Sequence, residues 1–235
     1  MPVSAAEHRL ILDNLTRLAE ADILRMWRAA ELQTDLEFAA YVTQAYPQIV
    51  DPYHQMAAQT AATIFEEDVP AQAATAVVVV ADPLPEEQLV KSAQWALSSA
   101  YGTEAIGRMS GTAQRAIYDG DRETTVLNAE SRGMRWVRVA RPDACPFCKM
   151  LAARTVSGNY YSKEGAKKSH DRCHCISKAI PARTDALDYL SRTEPQAAAM
   201  AEQFNDEYEK AVANAGGRSD AKAILSEWRK ADKAR

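Results

Sequence analysis

Glycine and aromatic residues are scarce. The chain of 235 residues carries 9 glycines and is 7% aromatic. An all-β sandwich or barrel needs a turn every few residues, so this composition argues against one. Long hydrophobic runs are also missing. The longest, Ala74–Ala81, falls far short of the ~18 residues of a membrane span, and no membrane partner is expected. Met1–His8 shows no basic region leading into an apolar core, which suggests a chain made and used in a cytosol. Neither Gly-x-Ser-x-Gly nor His-Glu-x-x-His occurs, so the common hydrolase signatures are absent.

The rest of the composition, 47% hydrophobic and 26% charged, reads as a soluble globular chain. Its net charge of −4 is unevenly spread. Residues 132–183 hold twelve Lys and Arg against three acids, a charge of +9, which leaves −13 on the remainder. A basic module thus sits on an acidic body. Such blocks meet partners of opposite sign, or each other. No dense Lys/Arg run occurs, so strong duplex binding is not the leading expectation.

Most of the chain reads as helix. Ser4 with Glu7 and Thr34 with Glu37 fit capping boxes. Behind the first, Ile11, Leu15 and Leu18, then Ile23, Met26, Trp27 and Ala30, recur at helical spacing to about residue 31. The second opens a helix that closes near Tyr46, and Pro47 can start a third reaching about Glu67. Asp68–Pro85, with three prolines and four consecutive valines, reads as a linker. Helices are expected from Glu86 to about Tyr101, from Gly102 to Tyr118, and from Asp121 to about Ser131, with a stop at Asp119-Gly120. Met134–Val139 alternates large and charged residues as a strand does, and a loop-rich stretch runs on to Pro181 with a short strand at Tyr160–Ser162. Helices return after Pro181 and break at Gly216-Gly217, with Ile224, Leu225 and Trp228 on one side of the last. The expected fold is mainly α: a helical bundle (1–68), a linker (69–85), a helical segment (86–133), a small α+β zinc-stapled module (134–181) and C-terminal helices (182–235).

The chemistry concentrates in the cysteines. All four lie within Cys145–Cys175, and His170 and His174 fall among the last pair. Cys145-Pro146-Phe147-Cys148 is a Cys-x-x-Cys knuckle, which presents two sulfurs to one metal. The return of His170-x-x-Cys173-x-Cys175 supplies the remaining ligands of a closed tetrahedral site. Zinc suits such donors. A disulfide is disfavoured in a cytosol. A redox Cys-x-x-Cys does not require the second cluster, and a nucleophilic cysteine beside His170 is the remaining alternative. Candidate ligands are therefore Cys145, Cys148, His170, Cys173 and Cys175, with His174 read as an ordinary exposed histidine. Residues two apart on an extended chain share a face but stand about 6.6 Å apart, so Cys173 and Cys175 come together on one metal only if the chain turns there. A closed four-ligand site leaves no position for reacting water, so the expected role of Zn2+ is structural.

The text from Trp136 to Pro181 resembles the phage minor head proteins of the Mu F-like family, above all the version found in tailed phages of actinobacteria. The matching residues are Trp136-Val137-Arg138-Val139, Asp143 through Arg154 with its Cys145-x-x-Cys148, Tyr160, Ser162, and His170-Asp171-Arg172-Cys173-His174-Cys175. The resemblance implies head morphogenesis: few copies built into the procapsid, in contact with portal or major capsid protein, or with packaged DNA, and located in the virion. Members are often labelled capsid maturation proteases, which implies cleavage of capsid or scaffold as a second reading. Ser162 or Ser169 near His170 are the serines such a reading would use. A nucleic-acid-binding module using the +9 segment is a third. No small-molecule substrate is expected.

Overall fold

A computed structural model describes residues 3–68, 77–98, 100–158, 169–217 and 220–233. The protein is mainly α-helical, with eight helices and one two-stranded sheet among the described residues. It divides into two compact units. The first comprises residues 1–128 with 166–173, and the second residues 129–165 with 174–235.

The first unit is built from α1 (Ala5–Ala30), α2 (Asp35–Asp68), α3 (Glu86–Ser98) and most of α4 (Thr103–Ser131). The first capping box forms in full, and at the second the Glu37 side chain reaches back to Thr34. Ser4 accepts from the Glu7 N–H at 3.2 Å while Glu7 receives the Ser4 N–H at 2.9 Å, and the Thr34 N–H and hydroxyl both reach the Glu37 carboxylate. The core joins Ile23, Met26, Trp27 and Ala30 of α1 to Val42, Tyr46 and Val50 of α2, Leu89 and Ala93 of α3, and Met109 and Ala113 of α4.

Three expectations fail here. The helix breaks at Pro47 and at Asp119-Gly120 do not occur. Instead, α2 runs through Pro47 and Pro52, and α4 runs through Gly120. An interior proline costs a helix about 3 kcal/mol, which burial of one α2 face from Val42 to Phe65 offsets. Gly120 serves close approach. A Cβ there would lie 2.7 Å from the His54 carbonyl and 2.9 Å from its Nδ1. The first half of α1 also buries a different face from the one expected. Ile11 and Leu18 are exposed, while His8, Leu12, Thr16 and Ala19 are buried. Polar ties to α4 select that face: His8 Nε2 lies 2.5 Å from Asp121, and the Tyr118 hydroxyl donates to Asp13 at 2.6 Å.

Val77–Pro85 has no regular secondary structure and no strand partner among the described residues. Asn128 clasps it, accepting the Val79 N–H at 2.9 Å and donating to the Val79 carbonyl at 2.6 Å. The Thr124 hydroxyl accepts the Ala81 N–H at 3.0 Å.

The second unit pairs β1 (Arg135–Val139) antiparallel with β2 (Ile176–Ile180), in the register Val139↔Ile176 and Arg138↔Ser177. β2 lies where a loop is expected. Around the sheet stand α5 (Pro146–Ser157), α6 (Ala186–Thr193), α7 (Pro195–Asn214) and α8 (Ala221–Lys233). Val137 and Ile180 pack with Ala186, Leu190 and Ala198. Ile224 and Trp228 of α8 pack against Ala211 and Val212, as their spacing predicts. Lys149 of α5 is buried between Glu207 at 3.4 Å and Asp232 at 3.0 Å, which ties α7 and α8 to α5. The expected strand at Tyr160–Ser162 lies outside the described residues.

Candidate metal centre

The knuckle forms where a strand hands over to a helix. After β1, Cys145 takes the N-cap position of α5 with extended backbone (φ −64°, ψ 157°), and Pro146 fills the first helical position, where its missing N–H costs nothing. The Lys149 N–H bonds back to the Cys145 carbonyl at 3.0 Å. Cys148 is then the third helical residue, on the same side as the cap. The two thiols lie within 4.8 Å of each other. They sit at the positive end of the α5 dipole, which favours negative charge on sulfur there. Cys145 is partly exposed and Cys148 is buried.

Cys175 is delivered by β2. It directly precedes Ile176, the residue paired with Val139 at the end of β1 that leads to the knuckle. Its thiol lies within 4.8 Å of Cys148. Alternation along β2 puts Cys175 and Ser177 on one face, and Ser177 stands directly opposite Arg138. From that place Arg138, only 1% exposed, donates from Nη1 to the Cys175 sulfur at 2.8 Å.

The chain does turn between His170 and Cys175. Arg172 adopts a left-handed conformation (φ 62°), and the Cys173 N–H closes the turn on the His170 carbonyl at 3.2 Å. His170 Nδ1 faces the Asp171 carbonyl at 2.7 Å, so Nδ1 carries the proton and Nε2 the lone pair.

In the first unit, α4 anchors this turn. A Cβ on Gly111 would come within 3.3 Å of Asp171, and one on Gly107 within 3.7 Å of Arg172, so the small residues of α4 let the segment lie close. Arg115 pairs with Asp171 at 3.1 Å. Buried Arg122 pairs with Asp119 and points Nη1 at the Cys173 sulfur at 3.9 Å. Sequence reasoning missed these anchors, as it missed Arg138. Small residues four apart on α4 and a basic residue next to the last in β1 were the available signals.

Among the described residues of the second unit, Cys148 has the thiols of Cys145 and Cys175 each within 4.8 Å; the first unit carries His170 and Cys173 on its turn, and His174 is not grouped with a possible metal ligand. None of the four cysteines forms a disulfide in this structure. Buried thiols and an imidazole with its outer nitrogen already engaged make a donor set that fits a sulfur- and nitrogen-preferring ion. Guanidinium groups beside two of the sulfurs fit thiolates rather than neutral thiols.

The other titratable groups go elsewhere. Ser169 donates to the Asp119 carboxylate at 3.1 Å. Ser162 lies outside the described residues. His54 is fully buried, with its ring nitrogens at 2.8 Å from the Ala116 carbonyl and 3.1 Å from the Asp82 carbonyl. No helix among the described residues is long and apolar enough to cross a membrane.

No curated protein and no solved structure matches the chain. A protein-family model described as VG15 protein matches residues 2–211, which takes in both units and the whole cysteine cluster. The chain therefore belongs to the VG15 protein family, a phage-associated family of viral proteins.

Proposed function

We propose that this protein is a minor head-morphogenesis component of a tailed phage, built into the particle next to portal or major capsid protein, and that its cysteine module is stapled by one structural Zn2+. Family membership supports the phage setting. The resemblance of Trp136–Pro181 to Mu F-like minor head proteins supports the head. The observation that carries the metal reading is that Cys148 has both the Cys145 and the Cys175 sulfur within 4.8 Å, with a buried guanidinium on the latter. The ligands are Cys145, Cys148, Cys175 and one residue of the turn, His170 or Cys173. Connectivity favours this set, because the turn residues lie two and five positions ahead of Cys175. Zinc bound there holds together a module with little core of its own.

Co-expression with the major capsid, scaffold and portal proteins of the same gene cluster tests the role. The chain is expected to co-purify with particles or portal while the intact masses of the partners stay unchanged. A defined mass loss in capsid or scaffold that depends on this chain would replace the structural reading with a protease. Recovery of particles without the chain would remove the head assignment.

A further inference from the structure

We propose that Arg138 is a positioning residue for the metal centre: its guanidinium holds the Cys175 sulfur in the orientation the ion needs and offsets the charge of the thiolates. The inference rests on the zinc reading above, and deepens it by naming the residue on which metal retention depends.

The geometry follows from the sheet. β1 sends Val137 and β2 sends Ile180 into the apolar core with Ala186 and Leu190, so alternation sends Arg138 to the other face. Arg138 stands opposite Ser177 there, and Cys175 is the diagonal neighbour two residues back along β2. That diagonal is within reach of a long side chain, and Nη1 meets the sulfur at 2.8 Å. An arginine 1% exposed is costly to bury unless its charge is answered nearby. A metal held by three thiolates carries net negative charge, and a guanidinium on one of those sulfurs answers it at contact distance. The Cys148 sulfur lies within 4.8 Å of that same Cys175 sulfur. The Ser177 hydroxyl is buried on the same face without a hydrogen-bond partner among the described residues, so it does not compete for Arg138.

The test uses the full chain loaded with Co2+, whose thiolate charge-transfer absorption reports sulfur ligation, and competition with a chelator to read affinity. Arg138→Gln is expected to weaken metal binding by about 10- to 100-fold, the usual loss when a hydrogen-bond partner of a ligand is removed. Arg138→Lys, which keeps charge and a donor, is expected to recover part of that loss. Unchanged affinity in Arg138→Gln overturns the proposal. A second measurement needs no variant. In the wild-type chain loaded with 113Cd, the Nη protons of Arg138 are expected to shift and couple to cadmium through the Cys175 sulfur. Their indifference to the metal overturns the proposal even if Arg138→Gln fails to fold. Normal thiolate spectra with an unaffected Arg138 leave the zinc reading standing. A wild-type chain that takes up no metal removes both.

Discussion

Tyr53 and Asp22 form a tie between α1 and α2 whose two partners titrate at opposite ends of the pH scale. The Tyr53 hydroxyl donates to Asp22 at 2.6 Å. That bond holds the Asp22 carboxyl below its usual range, while burial and then the adjacent carboxylate push the Tyr53 hydroxyl up from 10.0 to about 12. The lowered carboxyl adds stability that is full above its ordinary value of 3.8 and is lost as pH falls through the folded value. The raised phenol adds stability that is full below pH 10.0 and is lost as pH rises toward about 12. Tyr53→Phe is expected to cost about 1 kcal/mol near neutral pH and to flatten both flanks of the curve. Urea unfolding from pH 3 to 11 checks this, and a variant with the same pH curve as wild type would contradict it. At this scale the sequence was partly legible. The capping pairs Ser4–Glu7 and Thr34–Glu37 could be read because both partners lie on one turn. His54 could not, because its partners are carbonyls 62 and 28 residues away.

Among the elements, the irregular Val77–Pro85 segment is held by side chains in place of a strand neighbour. Asn128 uses both its amide groups as a strand would use its backbone, and Thr124 adds a third bond. Asn128→Ala is expected to leave the Val79 N–H and carbonyl unmatched, to cost about 1–3 kcal/mol, and to speed amide exchange at Val79 and Ala81 before the helices open. Exchange at those amides that rises only with global unfolding would contradict it. The element boundaries that sequence reading missed share one cause. Pro47, Pro52 and Gly120 are local stop signals, but the packing of α2 and α4 overrides them, and Gly120 is where His54 needs space. The exposed face of α1 was misjudged for a related reason. His8 and Thr16 look polar and Ile11 and Leu18 apolar, yet His8–Asp121 fixes which face turns inward. β2 was hidden because Ile176–Ile180 contains Ser and Lys in five residues, and its partner is 37 or more residues away.

For the molecule as a whole, the cysteine cluster was the most legible feature. Its spacing alone identifies Cys145, Cys148 and the return at His170–Cys175. The turn at Arg172, the α4 anchors of Asp171 and the Arg138–Cys175 contact were not legible, since each depends on tertiary neighbours. Two units with opposite charge balance and one basic, cysteine-rich segment suit a protein with two contact surfaces, as a component seated among larger head proteins would need. The claim everything else depends on is the metal. Native mass spectrometry of the purified full-length chain, followed by thiol alkylation under native conditions, tests it most directly. The expected result is a mass above that of the sequence by one zinc ion, with cysteines protected from alkylation until a chelator is added. A native mass equal to that of the sequence, with all four cysteines alkylated at once, would contradict it.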